Sequence, residues 1–477
     1  MEQTQDKSRT SASTVRDKQN LLPTILVILG STGDLMRRKL TPCLFHLYTK
    51  GHLPPLFQVI GFAKDVLTAE EFQTMVGQIV REKVPGAEQV AVEKFMKFFV
   101  YQQGLFEEDE GYRNMASYLG QKDGEWQVCA NKLFYIAASP KFYETIFRKL
   151  ASSKLTEPCS AEEGWTRVIV EKPFGKDLQT AQELDKLLGK LFREEQIYRI
   201  DHYLGKETVQ NILAFRFSNS FLQDSWDTEA VEKIHIELLE KDGIGDRGGF
   251  YDGIGALRDV GQNHLLQLLA LFCMENPGTF EAPAVRKKRA EILRALKIWK
   301  GGEVASHTTR AQYEGYAQEK GVAEKSQTET YFRIQTQIDT NRWKDVPIIL
   351  ESGKAMSEDR VEVTVLFRGN KHQNVLRYRI EPSEGIRISF WVKKPGPEMI
   401  LEEKDFIFDY KEAFGEEQLA DAYERLLLSV IQGDQTLFVS TDEIMAEWEF
   451  IDPILRAWQE NVTPLQIYQK QNKPSER

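Results

Sequence analysis

The sequence predicts an α/β half built on a doubly wound parallel sheet, followed by a large α+β half with a mostly antiparallel sheet. Three features point there. Short continuous apolar runs alternate with helix-like stretches through the first 200 residues. A glycine turn closes the first of those runs, and beyond Asp201 the runs give way to apolar/polar alternation, as in strands with one covered face. At 477 residues the chain exceeds what one core usually organises. The expected division is a disordered tail at 1–20, a doubly wound α/β domain at 21–200 and an α+β domain at 201–477.

The first strand is TILVILG, Thr24 to Gly30, rich in branched side chains. A helix follows with Leu35, Leu40, Leu44 and Leu47 at helical spacing, stopping at Gly51. FQVIGFA, Phe57 to Ala63, supplies the second strand and completes a βαβ unit. KFFVYQQ (Lys97 to Gln103), KLFYIAA (Lys132 to Ala138) and TRVIVEKPFG (Thr166 to Gly175) continue the series. In the second half VEKIHIELLE, ETYFRIQTQI, VEVTVLF, NVLRYRIEP and IRISFWV alternate, the last with Ile386, Ile388 and Phe390 on one face and Arg387 and Ser389 on the other. Helices are expected around Arg258 to Cys273, Val285 to Trp299, Glu416 to Ile431 and Asp442 to Trp458.

Composition narrows the functional classes. Hydrophobic residues make up 41% and charged residues 28%, as in folded proteins, and no run nears a membrane span. The net charge of -10 argues against nucleic acid or an anionic membrane as partner, so an anionic substrate needs a locally basic pocket. Cys43, Cys129, Cys159 and Cys273 form neither a CxxC pair nor a zinc pattern and are expected to be reduced thiols, with no metal site. The first twenty residues lack an apolar signal core and contain Glu2, Asp6 and Asp17, which points to the cytoplasm.

Gly30 and Gly33 bracket the strand-to-helix turn, where backbone N–H groups can approach a pyrophosphate. The segment reads GSTGDL, with Thr32 at the middle glycine position and Met36 at the third of the usual fingerprint. The second strand ends in Ala63 and Lys64 rather than an acid, which favours a 2'-phosphate and hence NADP. An ordinary αβ turn and a solvated lysine are the bland alternatives.

Polar groups concentrate in VEKPFG, YRIDHYLGKET and RGGFYDGIGALRDVGQNHLLQLLAL. Lys172, His202, Tyr203 and Lys206 can give donors and positive charge to a phosphate, while Glu240 and Asp259 can accept from sugar hydroxyls. His264 lies among leucines, where a packed core histidine is the bland reading. With a carboxylate on its far ring nitrogen, for which Asp201 is the candidate, it becomes a general base for alcohol oxidation.

The motifs GSTGDL, VEKPFG, RIDHYLGKE (Arg199 to Glu207), RDVGQNHLLQ, VPIILESGKAM, KKPG and DAYERLLL stand in one order from about Thr24 to Trp458. In these the chain resembles the glucose-6-phosphate dehydrogenase family. The resemblance implies a Rossmann domain, an α+β domain whose sheet builds a homodimer or homotetramer, and oxidation of glucose 6-phosphate to 6-phosphogluconolactone with NADP, the first step of the oxidative pentose phosphate pathway. By position it makes His264 the proton acceptor and Asp201 its partner. It gives Lys172 contacts to substrate and nicotinamide, Pro173 a part in placing the ring, and Lys354 a further substrate contact. Gly30, Thr32, Gly33, Asp34, Leu35, Lys39, Lys64 and Tyr143 fall on its cofactor positions.

Departures from the pattern leave alternatives. Lys64 stands in place of arginine, which opens NAD use. Asp359 replaces a cation, with Arg360 beside it as substitute, and Glu381 replaces a glutamine. A second, structural NADP is not expected: Arg360 and Arg379 fit it, but the positions near Arg387 and Ser389 do not. The competing functions are an NAD-linked dehydrogenase of another sugar phosphate and a noncatalytic nucleotide or sugar-phosphate sensor.

Overall fold

The computed structural model describes residues 23–159, 164–223, 225–369, 371–415 and 420–474. The expected tail at 1–20 and the start of the helix expected from Glu416 lie outside the described residues. The chain forms two compact units. The first comprises Met1–Gly175, Gln182–Gly205 and Ala420–Thr441; the second comprises Lys176–Ala181, Lys206–Leu419 and Asp442–Arg477. A single cut at 200 misses the return of Ala420–Thr441, which a strand pairing in the first unit holds there.

That unit carries β1 (Thr24–Leu29), β2 (Phe57–Ala63), β3 (Phe99–Gln103), β4 (Asn131–Ile136), β5 (Thr166–Val170) and β6 (Ile197–Ile200). Their order is β6-β5-β4-β1-β2-β3, all parallel, with Phe438–Val439 added antiparallel beside β6. This is the strand order of a Rossmann fold, which binds ligands outside the carboxyl ends of its strands. β1, β2 and β4 are buried along their whole length, which explains their unbroken apolar runs.

One expectation fails here. Cys129 and Cys159 are joined in a disulfide, with Cα atoms 6.3 Å apart, and only Cys43 and Cys273 are free thiols. Cys129 precedes β4 and Cys159 lies in the segment leading to β5, and those strands are parallel neighbours. The sheet thus brings together two cysteines separated by 30 residues, a proximity that their spacing did not show.

The second unit carries β7 (Val231–Leu239), β8 (Thr308–Tyr313), β9 (Tyr331–Thr336), β10 (Ile348–Gly353), β11 (Arg360–Phe367), β12 (Val375–Glu381), β13 (Gly385–Lys393) and β14 (Leu401–Asp409). With Leu465–Tyr468 beside β8, the sheet runs β14-β13-β12-β11-β7-β10-β9-β8 and is antiparallel except where β7 meets β10 and where Leu465–Tyr468 meets β8. Ser389 is buried and Phe390 exposed, the reverse of what their faces suggested. Ser389 bonds Asp405 at 2.9 Å, and Phe390 packs edge-on against Phe406 at a sheet margin that no described residue covers.

Behind this sheet the helix expected around Arg258 to Cys273 begins as a wide π-type turn, Leu257–Leu265, and continues as α-helix to Cys273. Glu329 caps its start: Oε1 accepts from the Leu257 N–H at 3.1 Å. Burial pushes the Glu329 carboxyl up to about 7, against hydrogen bonds and the nearby Arg258 and Arg310. Because the folded chain then holds this proton more tightly than the unfolded one, stability falls as pH rises from the ordinary carboxyl range through 7. Glu329→Gln keeps the acceptor without the charge. Its stability advantage over the parent is expected to grow between pH 5 and 8 by roughly 3 kcal/mol at most, read by denaturant melts; a constant gap would contradict the assignment.

Candidate active site

In the first unit the turn after β1 is tightly built. Gly30 has φ +97°, and a Cβ there would sit 2.4 Å from the Ala137 carbonyl oxygen beyond β4. Its N–H donates to Phe62 O at 2.8 Å, and Gly33 N–H returns to Gly30 O at 3.0 Å. Ser31 is fully buried, with no partner for its hydroxyl among the described residues. The helix through Met36–Leu40 and Thr41–Thr49 starts from this turn. Backbone packed this closely, at a helix start and at the carboxyl end of β1, suits the pyrophosphate of a dinucleotide.

Around the turn, Thr32 donates to Asp65 at 2.6 Å, and Tyr101 fixes the loop by donating to Asp65 O at 2.6 Å. Asp65 follows the exposed Lys64, so the end of β2 does present an acid one residue later than the usual place. Lys39 pairs with Asp421 at 2.8 Å, while Asp34 turns outward to Arg38 at 3.4 Å, and Leu35 is half-buried.

At the end of β5, three tyrosines enclose Glu171. Tyr135 donates to its carboxyl at 2.5 Å, Tyr423 also bonds it, and Tyr143 donates to its backbone carbonyl at 2.9 Å. The residue as a whole keeps some exposure, but the carboxyl is enclosed, and burial pushes it up to about 7. The next peptide bond, Lys172–Pro173, is cis. Sequence reasoning singled out Lys172 and passed over Glu171, although both stand in VEKPFG.

After β6, Asp201 is buried and its Oδ1 accepts from Tyr203 N–H at 3.0 Å. The His202 ring lies nearly parallel to Tyr423, with 6.1 Å between centroids. This unit therefore gathers the glycine turn, Lys172, Pro173, Tyr143, Asp201, His202 and Tyr203 at or near the carboxyl ends of β1, β4, β5 and β6.

In the second unit, Glu240 follows β7, Lys354 follows β10, and Asp259 stands on the π-type turn. Lys354 is only 3% exposed as a side chain; its ammonium bonds Glu240, lies 3.5 Å from Asp259, and sits 5.2 Å from the Tyr251 ring centre. The two carboxylates offset the cost of burying the cation. It also offers a donor and acceptors to a polyol. His264 is 1% exposed on the same π-type segment as Asp259, its backbone N–H donating to Asn263 Oδ1 at 2.7 Å. Lys206 is ion-paired with Glu381. Asp359 accepts from Lys241 N–H at 2.8 Å, and Arg360 contacts Glu358 and, at 3.5 Å, Glu237. Arg360 is thus ion-paired with these two glutamates. Arg379 bonds Glu362 at 2.7 Å.

Two family models match the chain in succession, glucose-6-phosphate dehydrogenase NAD binding domain over residues 27–211 and its C-terminal domain over residues 213–477. The chain belongs to the glucose-6-phosphate dehydrogenase family. Within it, the chain is 37% identical over 480 residues to glucose-6-phosphate 1-dehydrogenase 2 of Mycobacterium tuberculosis, covering 94% of this chain and 92% of that one. It is 36% identical to the Arabidopsis thaliana protein glucose-6-phosphate 1-dehydrogenase 5, cytoplasmic, covering 90% and 85%. A solved glucose-6-phosphate dehydrogenase in complex with its substrate glucose-6-phosphate superposes with a TM-score of 0.89 at 33% identity, over 96% of both chains. The matched NAD binding domain spans the parallel strands and the glycine cradle of the first unit, and the chain is a nicotinamide-dependent oxidoreductase.

Proposed function

We propose that this chain oxidises glucose 6-phosphate at C1 to 6-phosphogluconolactone with NADP, the first step of the oxidative pentose phosphate pathway, in the cytoplasm. The observation that carries the reading is the helix at Leu257–Leu265, which holds a buried imidazole and, through Asp259, a share in the Lys354 and Glu240 cluster. His264 accepts the C1 hydroxyl proton. Asp201 orients the ring and stabilises the imidazolium without becoming protonated itself. Glu240, Asp259 and Lys354 bind sugar hydroxyls, and Lys172, His202, Tyr203 and Lys206 hold the phosphate.

Gly30, Thr32, Gly33, Asp34, Leu35, Lys39, Lys64, Tyr143, Lys172 and Pro173 would hold the dinucleotide, whose nicotinamide accepts the hydride leaving C1. Lys64 favours the 2'-phosphate, while Asp65 beside it gives a ribose hydroxyl an acceptor, so both NADP and NAD are expected to serve. Initial rates of cofactor reduction with each cofactor, across several hexose phosphates, test the reading. It is wrong if glucose 6-phosphate binds but reduces neither cofactor.

Glu381 has a readable consequence. Its carboxylate occupies the Lys206 ammonium that a phosphate needs. Glu381→Gln removes that competing charge and is expected to lower KM for glucose 6-phosphate about two- to fivefold with kcat unchanged, the range of a part-exposed ion pair. An unchanged KM would remove Lys206 from the phosphate site.

The second unit also supports a homodimer. β14 is an edge strand exposing Phe406, Ile407 and Phe408, flanked by exposed Phe390 and Val392 on β13. Such a contiguous apolar edge is an association surface, and a second copy is the occupant that closes it by symmetry. Light scattering should give a mass of two chains or a multiple, and Phe406→Asp with Ile407→Lys should give one; a monomeric parent refutes it.

A further inference from the structure

The second unit contains a cavity of ≈ 300 Å³ at the foot of the helix that bears His264. None of Lys206, Glu240, Asp259, His264 or Lys354 lines it; its polar wall comes from Arg258, Arg310, Thr328, Glu329, Gln459 and Asn461. Arg310 is buried, with Nε donating to Thr463 O at 2.7 Å and Nη2 to Asn461 Oδ1 at 3.0 Å. Among the described residues its Nη1 has no hydrogen-bond acceptor. Arg258 donates from Nε to Lys176 O at 2.9 Å and from Nη1 to Ile254 O at 3.2 Å, and its Nη2 likewise has no acceptor among the described residues.

Two guanidinium groups in one recess, in a protein of net charge -10, single it out. The one carboxyl in the wall, Glu329, holds its proton up to about pH 7, so at neutrality the recess carries between one and two positive charges. The planar donor forks of arginine suit phosphate and carboxylate oxygens.

We propose that this cavity is a second binding site, for a small oxyanion-bearing metabolite, and that its occupancy modulates turnover through the helix above it. Arg258 is on that helix with Asp259 and His264. The link below is rigid. Glu329 bonds Leu257 N–H, Ala256 N–H donates to Glu329 O at 3.0 Å, and Gly255, at φ +79°, lies so close that a Cβ would fall 2.2 Å from Glu329 Oε1. An anion on the two arginines competes with Glu329 for them and favours its protonated form, loosening or shifting the first turn of the helix.

The test titrates inorganic phosphate, and in a separate arm citrate, into protein already saturated with glucose 6-phosphate, followed by calorimetry and by kcat. At least one probe is expected to bind and to change kcat without competing for the sugar site, and the responding arm tells phosphate from carboxylate chemistry. Arg310→Met removes a buried cation and is open to misfolding, so the exposed Gln459→Glu, which sets a negative charge in the wall, is run beside it. Either folded variant should weaken the probe about tenfold or more and abolish the probe's effect on kcat. No binding by either probe, or binding that Gln459→Glu leaves intact, overturns the proposal. Failure of glucose 6-phosphate itself to bind would instead count against the functional reading, and the phosphate titration would still report on the cavity.

Discussion

Replacing His264 with asparagine is expected to lower kcat by roughly 10² to 10⁴, the contribution of a general base, while KM for glucose 6-phosphate changes little. Hydride cannot leave C1 as a stable product-forming step unless the hydroxyl proton leaves with it, so the loss falls on the chemical step. The imidazole is fully buried on a helix whose neighbouring leucines are also buried, and asparagine is smaller without being apolar. The melting temperature should therefore fall by only a few degrees, of the order set by about 1 kcal/mol in a chain of this size. A purely structural histidine would give the opposite pattern, with lost stability and retained kcat per folded molecule.

Gly30→Ala is the second large effect. A methyl at φ +97° is strained before any contact is considered, and here it would meet a backbone carbonyl at 2.4 Å, which cannot rotate aside as a side chain could. Either β1 and β4 separate locally or the turn unwinds, and both disturb the backbone proposed to receive the pyrophosphate. Stability is expected to drop by at least about 2 kcal/mol, and the cofactor dissociation constant to rise by about tenfold or more. Calorimetric titration of NADP against a denaturant melt separates the two. Wild-type affinity in Gly30→Ala would mean that the cofactor does not use this turn.

Much of the first unit could be read from the chain because burial on both faces leaves an unbroken apolar run: the second expected strand coincides with β2, and the first stops one residue beyond β1. The exposed edge hid itself for the converse reason. β14, LEEKDFIFD, mixes acids with apolar residues that face outward, so no burial pattern marks it. The disulfide depended on which strands are neighbours, which single-strand patterns do not carry. The chemistry-bearing motifs gave residue types but not partners. That Lys206 is bound by Glu381, that Arg360 pairs with Glu237 and Glu358, and that Thr32 bonds Asp65 all follow from register and loop path. Glu171 was overlooked because an acid before a lysine reads as a local pair, whereas its enclosure comes from three tyrosines distant in sequence.

The most direct test of a working acid–base pair is a double-mutant cycle on kcat, with His264→Asn, Asp201→Asn and the two combined. If Asp201 acts only through the His264 ring, the double variant is no slower than the worse single one. Losses that multiply would show the two side chains to act independently, and the proposed base would lose its orienting carboxylate.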